Sequence, residues 1–376
     1  MKKTWLILWV FVFPGCADPG KTPAGTDQPP VWSMTGFVKA DAANPILLPD
    51  STTWFNCPFA GKLPWEAKDV FNPAALVRND TIFLLYRAED RVGKFAGTSR
   101  IGLAWSMDGL HFTKHPKPVL YPDRDAWSRY EWEGGCEDPR VAKAPDGSYL
   151  MTYTAYDGTT ARLMIASSAD LFHWTKHGPA FSATQAIEGK PAVDLWSKSG
   201  SIVCRYEQGQ AVAKMINGRY WMYWGDTDIF LASSEDLVHW QVQTTPEGRR
   251  KAVFGKRPGK FDSDLVEPGP PAIWQADGIL LLYNSRNDRA HGDTSLPDHS
   301  YAAGQILLSA QDPAVVKARM DHHFIRPDRD FEIRGQVNQV CFIEGLVQMH
   351  NTWYLYYGTA DSKIAVALRE APATNP

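Results

Sequence analysis

The sequence carries almost no surplus charge of either sign, no apolar run long enough to hold a membrane span, and few cysteines. Lys+Arg 39 against Asp+Glu 42 leaves a net charge of −3, so the basic footprint that nucleic acid requires is missing and DNA and RNA are excluded as partners. The apolar stretch from Trp5 to Phe13 is too short to cross a bilayer as a permanent helix. Of Cys 5, four are widely spaced (Cys57, Cys136, Cys204 and Cys341) and match neither a zinc pattern nor a small disulfide scaffold, so they read as free buried thiols. No His/Cys/Asp cluster has ligand spacing, and no metal or cofactor is expected. Periodicity of the helical kind is nearly absent after residue 16. What the chain does have is aromatic mass. Trp 15, Tyr 14 and Phe 17 make up 12% of the residues, and such side chains favour pleated strands and stack on the apolar faces of sugar rings.

Lys2 and Lys3, the apolar stretch and Pro14-Gly15-Cys16 form a targeting segment that resembles the bacterial lipobox, in which the cysteine thiol is acylated. The expected layout is therefore a leader over residues 1–16 with Cys16 lipidated, a flexible Pro/Gly-rich linker over 17–42, and one folded domain over 43–376. A lipoprotein of the Gram-negative cell envelope is implied, in the periplasm or at the outer membrane. The chain would touch the membrane only through its anchor.

One unit recurs five times: a tight-turn pair, a dense apolar and aromatic run, then a polar cluster. The runs are IFLLYRAED after Asn79-Asp80, YLMTYTAYD after Asp146-Gly147, YWMYWGDTD after Asn217-Gly218, ILLLYNSRN after Asp277-Gly278 and WYLYYGTAD after Asn351. Turn chemistry feeding such runs signals hairpins. Three copies of S-x-D-x-x-H-aromatic, at Ser106, Ser168 and Ser234, with a decayed fourth at Ser309, read as structural turns, because a catalytic group is needed once and a turn in every repeat. Strand repeats of this length must hide their edges, and radial arrangement does so. The expected fold is all-β, a five-bladed β-propeller, with the polar run ends meeting in one funnel. Those ends supply Arg87, Asp90, Tyr156, Asp226 and Asp361, residue types that pair hydrogen bonds to sugar hydroxyls.

Four acids stand in three segments outside the repeat. Gly134-Gly135-Cys136-Glu137-Asp138-Pro139-Arg140 fixes two adjacent carboxylates, of which an extended strand would turn only one into the funnel. Glu267 precedes Pro268-Gly269-Pro270-Pro271, and Glu207 lies in Arg205-Tyr206-Glu207-Gln208. Glycoside cleavage needs two carboxyl groups, an acid and a base or nucleophile.

FNPAALV (71–77), YRAED (86–90), RIGLAWSMDGLHF (100–112), GGCEDPR (134–140), EPGPPA (267–272), LLYNS (281–285), FIEGLV (342–347) and YYGTADSKIAVA (356–367) together resemble glycoside hydrolase family 130, from about Ala43 onward. That resemblance implies a five-bladed propeller acting on β-mannosides, as a phosphorylase or an inverting hydrolase. It also implies Asp138 as general acid, acting through the 3-hydroxyl of the bound mannose, with Asn72, Arg87, Asp90, Arg100, Asp361 and Tyr301 around that sugar. Phosphorylase members carry a basic cluster that includes a His-Arg pair at the end of the third-blade strand, where this chain reads Tyr223-Trp224-Gly225-Asp226, and an acid there repels phosphate. The expected function is hydrolysis of β-manno-oligosaccharides with Glu207 or Glu267 as base. Phosphorolysis, a non-catalytic glycan-binding lipoprotein and a furanosidase are the alternatives. Linkage and oligomeric state stay open.

Overall fold

A computed structural model describes residues 29–95 and 97–371. Cys16 and the leader lie outside the described residues. From Trp32 onward the chain forms one compact unit, nearly all strand, with two four-residue helices, Ser128–Glu131 and Asp330–Ile333. None of the described helices is long and apolar enough to cross a membrane.

The principal strands pair antiparallel in five successive groups. The first is Asp69–Arg78, Thr81–Glu89, Ser99–Ser106 and Thr113–Lys114. The second is Gly135–Lys143, Tyr149–Tyr156, Ala161–Ser168 and Thr175–Pro179. Ser201–Glu207, Tyr220–Trp224, Ile229–Ser234 and Trp240–Val242 follow. In the fourth group Leu265–Pro268 and Ala272–Gln275 share Gly278–Arg286 as partner, and Tyr301–Leu308 and Val316–Arg319 complete it. The fifth runs Cys341–Met349, Thr352–Thr359, Lys363–Glu370, and takes its outer strand, Val38–Lys39, from the other end of the chain. Residues 32–42, expected as part of a flexible linker, are therefore folded in. The Met34 amide donates to Gln305 at 2.7 Å, and Lys39 pairs with the fully buried Glu332. The boundary was misplaced because a two-residue strand has no periodicity to read.

Period-2 alternation explains why the five runs are apolar without interruption: both faces of each sheet are covered. In the fourth sheet, Leu281 and Tyr283 join Val203, Tyr223 and Leu231 of the third, while Leu280 and Leu282 join Ile343, Leu355 and Tyr357 of the fifth. Equivalent cores lie between the first and second sheets, the second and third, and the fifth and first, so the order closes on itself. The repeated Ser-x-Asp-x-x-His segments are exposed turns. In each, the Asp carboxylate accepts the amide of the His three residues on and touches its ring. All four described cysteines are free and buried.

Four sheets also carry a clasp that the repeat pattern alone does not reveal. Tyr86, Tyr153, Tyr283 and Tyr357 donate to Glu66 at 3.0 Å, and to Glu131, Asp262 and Glu332 at 2.8 Å. Each carboxylate is also paired with a cation on the outermost strand: Lys114 at 2.9 Å, Lys176 at 2.5 Å, Arg319 at 2.5 Å and Lys39 at 2.6 Å. In the third sheet Trp224 takes the tyrosine's place and packs between Phe181 and Phe230 instead.

Candidate active site

The innermost strands each bend at a polar residue followed by Pro or Gly: Asn72-Pro73, Asp138-Pro139, Ser199-Gly200 just ahead of its strand, Glu267-Pro268 and Glu344-Gly345. The ladder shifts register at Asn72, across Glu137–Arg140 and at Glu344. Asn72 (φ 48), Asp138 (φ 46) and Ser199 (φ 59) are left-handed. Such bulges re-aim side chains, and non-glycine residues in this conformation concentrate at functional sites. Here they turn five side chains toward one centre, where hydrogen bonds link sheet to sheet. Asn72 donates to Asp138 at 2.9 Å, Thr152 to the Gly200 carbonyl at 2.6 Å, Ser201 to the Pro270 carbonyl at 2.8 Å and Asn284 to the Ile343 carbonyl at 3.0 Å.

The bulge also overturns one expectation. Glu137 and Asp138 do not face opposite ways, because both reach the Arg87 guanidinium, at 3.1 and 3.3 Å. Asp138 is 3% exposed, and its other oxygen lies 3.6 Å from Lys198 Nζ. Lys198 in turn lies 3.3 Å from Glu267, which also accepts a short hydrogen bond from Ser199. Arg140 crosses from the acid's strand to the segment after Glu267: Nε donates to the Gly269 carbonyl at 2.9 Å and a terminal nitrogen to the Pro268 carbonyl at 2.6 Å. Its counter-charge is Glu344, fully buried and 2.9 Å away, in contact but without hydrogen-bond alignment on either oxygen.

Burial opposes the ionisation of Asp138, but Arg87, Lys198 and Asn72 outweigh it and hold that carboxyl well below the usual range. Its neighbour goes the other way: burial pushes Glu137 up to about 7, with Arg87 pulling back and the Asp138 charge adding to the rise. Burial likewise lifts Asp361 to about 7 against the pull of Arg87. Glu267 is raised by burial, which Lys198 and Arg140 restrain, and Glu344 is raised further for the same reason. Lys198 is kept protonated because Glu267 and Asp138 outweigh its burial.

Of the residues expected at the site, Asn72, Arg87, Asp138, Glu267 and Asp361 come together. Asp226, whose carboxylate accepts the Trp196 indole N–H at 2.7 Å, lies within electrostatic reach of Lys198 and Glu267. Tyr301 stands beside Arg286 and within the same field. Tyr156 sits at the mouth, paired with Gly135. Asp90 and Arg100 are buried beneath. Asp90 accepts the amides of Val92, Gly93 and Thr98 on one oxygen and Arg100 on the other, so its carboxylate is committed to that turn, while Arg100 Nε is buried without a hydrogen-bond partner. Glu207 is not brought to the site. It ends a strand that starts at Ser201, about 20 Å away at ~3.3 Å per residue, and lies exposed against Arg205 in a surface hollow with Lys143 and Asp146. Sequence reasoning missed Lys198, Ser199, Arg140 and Glu344, although the shared polar residue before Pro or Gly was a usable signal for two of them. No metal-holding group of three or more His, Cys, Asp or Glu exists among the described residues.

Opposed buried carboxylates in a ring of arginine, lysine, asparagine and tyrosine are the equipment of an enzyme that cleaves glycosidic bonds. Residues 38–372 match the family profile Glyco_hydro_130, described as beta-1,4-mannooligosaccharide phosphorylase. The 1,2-beta-oligomannan phosphorylase of Thermoanaerobacter sp. (strain X514) is 31% identical over 314 residues, covering 81% of this chain and 91% of that protein. Among solved structures, a glycosyl hydrolase from Bacteroides ovatus is 45% identical with a TM-score of 0.87, over 93% of this chain and 97% of the other. A second, from work finding within these mannoside phosphorylases glycoside hydrolases that target beta-1,2 mannosidic linkages in Candida mannan, is also 45% identical. Its TM-score is 0.88, over 93% of this chain and 98% of the other. The chain belongs to glycoside hydrolase family 130, an enzyme family acting on β-mannosides.

Proposed function

We propose that the protein is a five-bladed β-propeller that hydrolyses β-mannosides, β-1,2-linked ones first, with inversion. The Glu137–Asp138 pair supplies a proton to the glycosidic oxygen through the mannose 3-hydroxyl, Asp138 being the member that hands it on and Glu137, raised to about 7, the member that holds it in the free site, while Glu267 takes a proton from the water that attacks the anomeric carbon. The carbon–oxygen bond to the leaving sugar breaks as the bond to water forms. Asn72, Arg87 and Asp361 hold the mannose that is released.

The observation that carries this reading is Lys198, the cation between the two acids. Phosphorolysis needs uncommitted positive charge for a dianion, and this ammonium is already shared by Asp138 and Glu267, with Asp226 nearby. One ammonium spanning them caps the separation of the facing oxygens at about 7 Å, so only the short end of the inverting range of roughly 6.5–9.5 Å is open to the pair. Burial keeps Glu267 more basic than an ordinary carboxylate, which suits a base working near neutral pH. Phosphorolysis remains the second reading, favoured by the activity of the 31% identical Thermoanaerobacter relative.

Proton NMR of a fresh digest tests the stereochemistry: α-mannose appears first if inversion holds, and β-mannose appearing first contradicts it. Asp138→Asn and Glu267→Gln each lower mannose release by about 10²–10⁴-fold, the usual worth of a positioned acid or base; wild-type rates in Glu267→Gln would remove Glu267 from the mechanism. Lipidation at Cys16 and an envelope location belong to the same proposal, and Cys16→Ser should move the protein from the membrane to the soluble fraction.

A further inference from the structure

Outward of the carboxylates, three aromatic side chains line one flank of the mouth, and nothing in the chemistry above uses them as a group. Trp196 is 46% exposed and Phe95 39% exposed. Tyr156 stands between them, its ring 6.4 Å from Trp196 and 5.9 Å from Phe95, edge-on to both. Each comes from a different part of the ring. Phe95 is in the loop after Thr81–Glu89, Tyr156 ends the second strand of the second sheet, and Trp196 precedes the third sheet by a few residues. Their position is tied to the acids. Tyr156 pairs with Gly135 and Thr154 with Glu137, so the tyrosine lies two residues, about 7 Å, further out along the strand than Glu137. Trp196 is two residues from Lys198, and its indole N–H is fixed to Asp226 at 2.7 Å.

A large aromatic side chain left half in water is ordinary when isolated. Three in a row, with the tryptophan fixed by its indole N–H to a carboxylate and the two outer rings part-exposed, make a preorganised stacking surface. Asn72 and Arg87 of the first sheet and Asp361 of the fifth surround the sugar that is released. In the hydrolytic reading, that leaves the aromatic row, over the first three sheets and outward of the acid, for the other side of the scissile bond.

We infer that Phe95, Tyr156 and Trp196 form a binding platform for the leaving-group side of the substrate, taking the pyranose ring two units beyond the bond that is cut. The enzyme is then selective for oligosaccharides over disaccharides. This inference rests on the hydrolytic reading above and adds the chain-length specificity of the same site. An aromatic face contributes about two- to tenfold in affinity per ring engaged, expressed in KM because the contact is the same before and during bond cleavage.

The test is kcat/KM for β-mannobiose, mannotriose and mannotetraose, measured on the full chain for wild type, Trp196→Ala, Trp196→Phe and Phe95→Ala. The wild type should improve from disaccharide to trisaccharide. Trp196→Ala should abolish most of that improvement, roughly fivefold to tenfold, through KM, and Trp196→Phe should restore part of it. Should Trp196→Ala not fold, Phe95→Ala carries the same expectation with a smaller loss. Equal kcat/KM for all lengths in a wild type that releases mannose, or an undiminished length preference in folded Trp196→Ala, overturns the platform and leaves hydrolysis standing. A wild type releasing no free mannose from any of the sugars overturns the functional reading, and the platform with it.

Discussion

Asn72, Asp138 and Asp361 share a backbone property rare for residues with a Cβ: each is left-handed, at φ 48, 46 and 49. That conformation costs of order 1–3 kcal/mol per residue, and the surrounding hydrogen bonds and ion pairs hold it. The sequence makes all three visible, two by the proline that follows them and Asp361 by its place at the end of a repeat run. It hides Lys198, which comes from a connecting segment, and Arg140, whose role is defined by carbonyls 128 and 129 residues away. It misleads on Glu207, because a charged residue near a strand end reads the same whichever end of the strand faces the site. Arg140 sets the spacing of acid and base across the centre. Arg140→Lys keeps a charge opposite Glu344 but puts one nitrogen where two separate ones serve the Gly269 and Pro268 carbonyls, so kcat should fall by about 10²-fold, as misplacement near 1 Å does, with KM changed much less. An unchanged kcat in the folded variant would reduce Arg140 to a packing residue. Asp361 gives a pH signature. Its folded pKa of about 7 lies above the ordinary 3.8, so the stability it contributes is complete below about pH 4 and is lost as pH rises through 7. The melting temperature of the wild type should therefore decline more steeply from pH 5 to pH 8 than that of Asp361→Asn, and parallel curves would contradict the assignment.

At the level of strands and turns, most was legible. Apolar runs after tight-turn pairs became second strands, and the Ser-x-Asp-x-x-His copies became turns, because both patterns are local. The tyrosine–carboxylate–cation clasps were not legible, since each joins residues 20 or more positions apart, and in the last sheet 293 and 25 apart. Lys39 is the cation of that last clasp, and it stands on the strand that ties the start of the described chain to the fifth sheet. Lys39→Met leaves the fully buried Glu332 with hydrogen bonds but no counter-charge. The loss should be about 3 kcal/mol, the low end for breaking a buried ion pair, read from urea unfolding; a loss below about 0.5 kcal/mol would show the clasp to be neutral. Lys114→Met, whose ammonium makes the equivalent contact to Glu66, should cost a similar amount.

On the scale of the whole molecule, the five strand groups close through one core per neighbouring pair, which leaves short outer strands as their edges. The same closure brings carboxylates from the second, fourth and fifth sheets to one place, although 223 residues separate Asp138 from Asp361. Repeat count and aromatic content carried that architecture in the sequence. The direction in which each inner strand points did not show, because bulges decide it, and that is why one of two proposed bases proved remote. The charge at the centre is what the proposal of hydrolysis rests on. The decisive measurement is product analysis of β-1,2-mannobiose incubated with the full-length protein, with and without inorganic phosphate. Free mannose at equal rates in both, absent in Asp138→Asn, is the result predicted; mannose 1-phosphate forming only when phosphate is present would contradict it.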